Sequence, residues 1–411
     1  MDVILAGLAL FNLGSMVTIF LPRSVRRKAV PWATFAFALL ATELAWIWLP
    51  LQALFAWMLI NGGALDSSLG VIALCILVVS WCGLVWSVWM AYQARPAVEY
   101  ALRAALGQKF RDDILPERRL QLRDDVRFSD WRNPIETGHP EVEVLRDIPY
   151  QPGGIRQHLD IYRPREIPEQ GCPVLLQIHG GAWMMGDKTH QALPLMHLLA
   201  ARGWICVAVN YRLSPSVGFP THLEDCKSAL CWIREEGHAY GMDTSFVAVT
   251  GGSAGGHLAA LMGLTANDPQ FQINHPGVDT SVQACVPFYG LYDFLVRFEQ
   301  HPNRKLYEDF VTGRVLHQSR GENPALWDLA SPVTHIHSGA PPFMVVHGAL
   351  DSLATVSDAR VFSQKLRKVS ENPVAYVELP GAEHAFDIFH SPRTEFTING
   401  VHQFLEWARS R

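Results

Sequence analysis

Three apolar runs, almost free of charge, occupy the first 92 residues, and no other feature narrows the choice of fold as much. Residues 3–21 (VILAGLALFNLGSMVTIFL) hold no charged side chain, residues 32–60 hold one, Glu43, and residues 69–92 hold none. Each run is long enough for a helix to cross a hydrocarbon layer about 30 Å thick. Seven of the 13 tryptophans precede residue 93, and Trp86, Trp89 and Tyr92 close the third run, where an interfacial aromatic belt is expected. The pattern predicts an N-terminal transmembrane helical region over residues 1–95 rather than a set of buried helices in a water-soluble domain. The middle run, with Pro50 near its centre, admits one tilted span, two half-helices or a re-entrant segment.

Charge sets the expected orientation. Arg23, Arg26, Arg27 and Lys28 follow the first run, Arg95 and Arg103 follow the third, and the loop NGGALDSS between the second and third has no Lys or Arg. The positive-inside rule then puts the N-terminus outside and the rest of the chain in the cytoplasm after three spans, as a multi-pass membrane protein. A middle run that enters and leaves on one side reverses this. The first run lacks a basic leading segment and an A-x-A site, unlike a cleaved signal peptide.

Beyond residue 140 the rhythm changes. Apolar runs of strand length fall at 141–145, 159–162, 173–179, 205–211, 246–250, 284–288, 342–347 and 374–379. Helix-period segments at 189–202, 222–239, 254–266, 356–369 and 394–409 separate most of the later ones. Two neighbouring extended runs followed by strand–helix alternation predict an α/β fold, a mostly parallel central sheet with helices on both faces. The charged stretch 96–140 reads as a linker or cap segment. It could extend the third span, lie on the membrane surface or cover the next domain, with Leu102, Leu106 and Phe110 on one helical face.

A net charge of −5 offers no basis for nucleic-acid binding. The seven cysteines are scattered and odd in number, without a CxxC pair, and read as reduced core residues. No HExxH motif is present, and neither a metal nor another cofactor is expected. The absence of an N-x-S/T sequon fits a domain kept out of a glycosylating compartment.

Chemistry enters at TGGSAGGH (250–257). Gly251, Ser253 and Gly255 form G-x-S-x-G between the apolar strand FVAVT and a helical pattern, the setting in which a tight turn pushes one hydroxyl out at the top of a sheet. A serine hydroxyl needs a base within reach, and the base needs an orienting carboxylate. In the expected order Ser, acid, His, Asp351 follows the strand PFMVVHGALD, and His384 follows VAYVELPGAEH. Asp358 and Asp387 are the other acid candidates, while His257, His335, His337 and His347 read as structural. The attack also creates an oxyanion, which requires fixed N–H donors. HGGAW (179–183) offers Gly180, Gly181 and Ala182, and Ala254 follows the nucleophile. Gly256 reads as room for the helix to pack on the sheet. Gly252 has no evident reason.

These residues, with NYRLSP (210–215) and the series Asp225, Ala229 and Trp232, make residues 140–411 resemble α/β-hydrolase-fold esterases and lipases of the hormone-sensitive-lipase-like group. The resemblance implies a catalytic domain over 141–411, with Tyr211 and Arg212 structural and a cap drawn from about 100–140 and 291–335. It implies a serine carboxylesterase or lipase acting on small-molecule or lipid esters through an acyl-enzyme. With the N-terminal region, the whole reads as a membrane-anchored enzyme whose other partner is the lipid bilayer. An amidase, deformylase or deacetylase would use the same residues, and a non-catalytic receptor would be expected to lack one of them. Three positions depart from the group's pattern: Ala182 stands at the third glycine of HGGG, Gly252 replaces an acidic residue, and HGALDSLATV around Asp351 resembles the wider fold more than this group. Acyl length, alcohol group and oligomeric state are open at this point.

Overall fold

The structure, a computed structural model, describes residues 1–20, 31–123, 125–298 and 304–411. The basic cluster Arg23, Arg26, Arg27 and Lys28 lies outside the described residues.

The apolar N-terminal quarter folds into α1 (Asp2–Phe20), α2 (Pro31–Glu43), α3 (Ala45–Asn61) and α4 (Ser68–Tyr92). α1 and α4 run side by side in one direction. At one end the Ser67 hydroxyl donates to Asp2 Oδ2 (2.6 Å), and at the other the ring of Phe20 packs on Trp86. α3 returns the opposite way, so that Gly62, just past its end, lies against Met1. A polar bridge ties the three together: Gln52 Nε2 donates to Asn12 Oδ1 (2.6 Å), and Trp81 Nε1 donates to Gln52 Oε1 (3.0 Å).

Side-chain placement here is inverted relative to a soluble protein. On α4 six of the eight buried positions are small, Gly70, Ala73, Ser80, Gly83, Ser87 and Ala91, the others being Leu77 and Leu84, while Val71, Ile72, Val78, Val79, Val85 and Trp89 face outward. Small residues between helices with large apolar ones outside are what helices surrounded by lipid require, since there is no hydrophobic gain in turning them inward. α1 and α4 are long and apolar enough to cross a membrane; α2 and α3 would make a third span only as a pair bent by 86°. The bend lies at Leu44, next to Glu43, and Pro50 sits inside α3. Cys75 and Cys82, expected in the core, are exposed on α4, whereas the other five cysteines are buried. The correction has the same cause as the inverted packing: the outward side of α4 is its bulky side.

α4 runs on through Gln93 into α5 (Ala94–Leu106) as a single rod spanning Ser68–Leu106. Of the three roles open to this segment it takes two. It extends the third run and buries Val98, Ala101 and Leu102 in the core of the following domain.

That domain is built on strands β1 (Val142–Pro149), β2 (His158–Pro164), β3 (Cys172–Ile178), β4 (Ile205–Val209), β5 (Met242–Gly252), β6 (Ala284–Phe288), β7 (Phe343–Gly348) and β8 (Val374–Leu379). They form one sheet in the order β1-β2-β4-β3-β5-β6-β7-β8. β2 is antiparallel to both β1 and β4, and the remaining pairs are parallel. The helices that follow are α6 (Leu193–Ala200), α7 (Thr221–Glu236), α8 (Ala254–Leu264), α9 (Arg304–Phe310), α10 (Pro324–Leu329), α11 (Val356–Val369) and α12 (Pro392–Arg409). α5, α6 and α12 cover one face of the sheet; α7, α8 and α11 cover the other. Parallel strands buried on both faces must be apolar at most consecutive positions, as in β3, β4, β6 and β7, whereas the antiparallel edge strand β1 mixes charged and apolar residues.

Candidate active site

The loops after β3, β5, β7 and β8 meet at the carboxyl edge of the parallel strands, where open α/β sheets bind ligands. Ser253 stands between β5 and α8 at φ 58°, ψ −117°, a conformation costing about 1–3 kcal/mol that only its surroundings can hold. Those surroundings are tight. A Cβ on Gly255 would lie 2.0 Å from the carbonyl oxygen of Ile178, so α8 can reach β3 only with glycine at that position. The Ser253 N–H donates to the carbonyl of Phe288 (3.0 Å), tying the turn to β6.

Ser253 and His384 line one cavity of about 670 Å³, together with Gly181 and Ala182. His384 Nδ1 donates to Asp351 Oδ2 (2.7 Å). The other oxygen of Asp351 accepts from the backbone N–H groups of Leu353 (2.9 Å) and Ala354 (2.7 Å). Asp351, rather than Asp358 or Asp387, is therefore the carboxylate on the imidazole. Asp358 instead accepts from the N–H of Tyr292 (2.6 Å) and fastens α11 to the segment after β6.

Burial alone would lower the His384 pKa, but the charge and hydrogen bond of Asp351, with Glu383 and Asp387 nearby, hold it above its ordinary value. Burial works to raise Asp351, yet His384 and His347 keep it well below the usual carboxylate range. Several supporting groups escaped the sequence reading. Glu383 Oε1 accepts from the N–H of both His384 (2.9 Å) and Ser352 (2.6 Å), locking the acid and histidine loops together. His347 Nε2 lies 3.2 Å from Asp351 Oδ2, on the same carboxylate oxygen that faces His384. Glu383 could have been found by its position next to His384; nothing in the spacing marks His347.

The structure also explains Gly252. A Cβ there would lie 2.7 Å from the hydroxyl oxygen of Tyr289. Tyr289 fills the space that a side chain would take, donates its hydroxyl to Asp387, and packs its ring 4.6 Å from that of His384. Burial and the nearby Asp387 raise the pKa of Tyr289, which keeps its phenol protonated. Tyr289 lies far along the chain from Gly252, so no local motif announces the pair.

In HGGAW, Gly181, Ala182 and Trp183 all have positive φ (119°, 54° and 60°), which turns the loop sharply over the carboxyl edge. The N–H groups of Gly181, Ala182 and Ala254 have no protein acceptor among the described residues. Gly180 corrects the expectation: its N–H donates to Gln191 Oε1 (2.6 Å) and is already committed. The remaining motif residues brace this edge. The Tyr211 hydroxyl donates to the carbonyl of His179 (3.0 Å), and Arg212 grips Asp225 with two nitrogens. His257 bridges the Trp183 indole (3.2 Å) and the carbonyl of Ala330 (2.7 Å), and burial lowers its pKa to about 4. His335 Nε2 donates to the carbonyl of Leu329 (2.9 Å).

The cavity roof comes from the segment after β6, through Val296, Phe298, Leu306, Tyr307 and Phe310. None of the described residues in 96–140 lines it, so the cap expected from that stretch is not over the site. Its place is taken by Phe35 of α2, whose ring stands edge-on to His384 at 6.1 Å.

An eight-stranded sheet of this order, with a serine elbow, an Asp–His pair and a glycine loop at one edge, defines an α/β-hydrolase. Known proteins agree. The BD-FAE family model matches residues 159–366. The probable carboxylic ester hydrolase LipM of Mycobacterium tuberculosis is 49% identical over 67% of this chain and 67% of its own length. The esterase LipQ of the same organism is 40% identical over 77% of this chain and 75% of its own. Among solved structures, esterase B from Lactobacillus rhamnosis superposes with a TM-score of 0.56 at 20% identity, covering 72% of this chain and 92% of that one, which bears on the fold alone. The chain belongs to the hormone-sensitive-lipase-like carboxylic ester hydrolases, with the BD-FAE domain as its core.

Proposed function

We propose that this chain is a membrane-anchored serine carboxylesterase that hydrolyses lipophilic acyl esters, with Ser253, His384 and Asp351 as its triad. The observation that carries the reading is the Asp351–His384 hydrogen bond facing the cavity that Ser253 enters from its strained turn. His384 takes the proton of the Ser253 hydroxyl as its oxygen attacks the ester carbonyl, then gives that proton to the departing alcohol. Water, deprotonated by the same imidazole, attacks the acyl-enzyme and releases the acid with Ser253 restored. The N–H groups of Gly181, Ala182 and Ala254 stabilise the oxyanion in both steps. Apolar lining by Leu291, Val296, Phe298 and Phe310 favours an acyl chain over a polar substituent.

The outward-facing large side chains of α1, α3 and α4 support anchoring in a bilayer. The catalytic domain sits at the end of the bundle opposite Met1, on the side that carries Arg95 and Arg103, which favours the cytoplasmic face. Labelling by a fluorophosphonate and hydrolysis of p-nitrophenyl esters test the chemistry. Ser253→Ala should abolish labelling and reduce kcat/KM by about 10⁶-fold. An unlabelled wild-type chain would sink the proposal.

A further inference from the structure

α2 faces two environments at once. Ala36, Phe37 and Leu40 are exposed on the outside of the helical region, and Phe37 meets Phe11 of α1 edge-on at 5.9 Å. Phe35, directly before Ala36 in sequence, turns the other way into the cavity and against His384. The helix is also clamped. Its last residue, Glu43, is fully buried and pairs with the buried Arg393 at the start of α12, while the Ser391 hydroxyl donates to Glu43 Oε2 (2.8 Å). Ala41 and Ala45 share a small apolar cluster with Leu350, the neighbour of Asp351. An ionised group in a membrane-type segment persists only with a partner, and this partner lies in the catalytic domain. On the far side of the cavity, Met185, Phe298 and Leu306 are exposed, giving its mouth an apolar lip.

We propose that α2 is a fixed wall of the acyl-binding cavity, that a long-chain ester dissolved in the bilayer reaches Ser253 between α2 and the lining residues Phe298, Leu306 and Phe310, and that Phe35 selects for acyl length. The proposal rests on the serine esterase reading above. The apolar segment of residues 31–61 is then part of the active site as well as part of the anchor. Phe35 lies on a helix whose opposite side is apolar and exposed, so the path from hydrocarbon to the nucleophile is only as long as the helix is wide.

The full chain in lipid nanodiscs provides the test. A long-chain alkyl fluorophosphonate with a diazirine midway along its chain is allowed to react with Ser253, then irradiated, and the adducts are mapped by peptide mass. Adducts on α2 around Phe35 are expected. Adducts confined to 181–191 and 291–310 would overturn the proposal and leave the esterase reading intact. So would labelling by a short-chain fluorophosphonate but not by the long one. Labelling by neither reagent would overturn the esterase reading and this inference with it. In parallel, Phe35→Trp should lower the ratio of kcat/KM for a dodecanoyl ester to that for an acetyl ester by about tenfold, the effect of displacing about two methylenes from the wall. An unchanged ratio would overturn the role of Phe35.

Discussion

α4 and α8 are both apolar helices, yet they solve opposite problems. α8 is buried at every position from Ala254 to Leu264, sandwiched between the sheet and its neighbours, and stops after three turns. α4 is more than twice as long and turns mostly small residues inside, with Leu77 and Leu84, while most of its large ones face out. Composition alone does not separate them. What separates them is the medium each was built for: packed protein on every side of α8, and, on the reading proposed here, lipid along one side of α4. The catalytic half of the chain is therefore held by large buried side chains, the helical region by close helix contacts and a few polar bridges, and the two meet at α2 and along the α4–α5 rod.

The sharpest way to break this contrast is to ask whether chemistry belongs wholly to the sheet half. Asp351→Asn should lower kcat by about 10⁴-fold with no change in retention by membranes, because it leaves the imidazole without its orienting acceptor. The pH profile sharpens the point. His384 must be neutral to act as base, so kcat/KM rises as pH passes its pKa. That pKa is held above the ordinary 6.5 by Asp351, so the wild-type midpoint should fall above 6.5 and move down in the Asn variant. A midpoint that does not move would detach Asp351 from the histidine.

The joint between the halves comes next. Glu43→Leu leaves Arg393 buried and unpaired and should destabilise the full chain by about 3–5 kcal/mol. Adding Arg393→Met should recover most of that loss, as seen in thermal unfolding in detergent. Equal losses for the single and double variants would mean that the pair does not fasten α2.

The smallest expected effect contrasts the two helices directly. Leu261→Ala, in the core of α8, should cost about 2–5 kcal/mol by leaving a cavity. Val79→Ala, 58% exposed on α4, should stay within about 0.5 kcal/mol in the same detergent unfolding assay. Similar losses at both sites would mean that the outer side of α4 is covered by protein.

Much of the catalytic half was legible in the sequence because its signals are local. The central parallel strands are apolar runs, since they are buried on both faces, and the helices between them keep their period. Ser253, Asp351 and His384 each follow a strand, so the topology brings them to one edge. The illegible parts are pairings across long stretches of chain. Glu43 gives no sign in the sequence that its partner is Arg393, and Gly252 gives none that Tyr289 fills its place. The commitment of the Gly180 N–H to Gln191 and the bend at Leu44 rather than Pro50 are likewise set by what packs nearby.

By itself, then, the sequence determined most of the elements, the candidate reactive side chains and the contrast between an apolar helical region and an α/β fold, because burial period and turn chemistry are written over a few residues at a time. Only the tertiary structure decided that α2 belongs to the cavity wall, which donors of the glycine loop remain free, and what surrounds the imidazole. Those are matters of distance and volume, and they exist only once residues hundreds of positions apart have packed together.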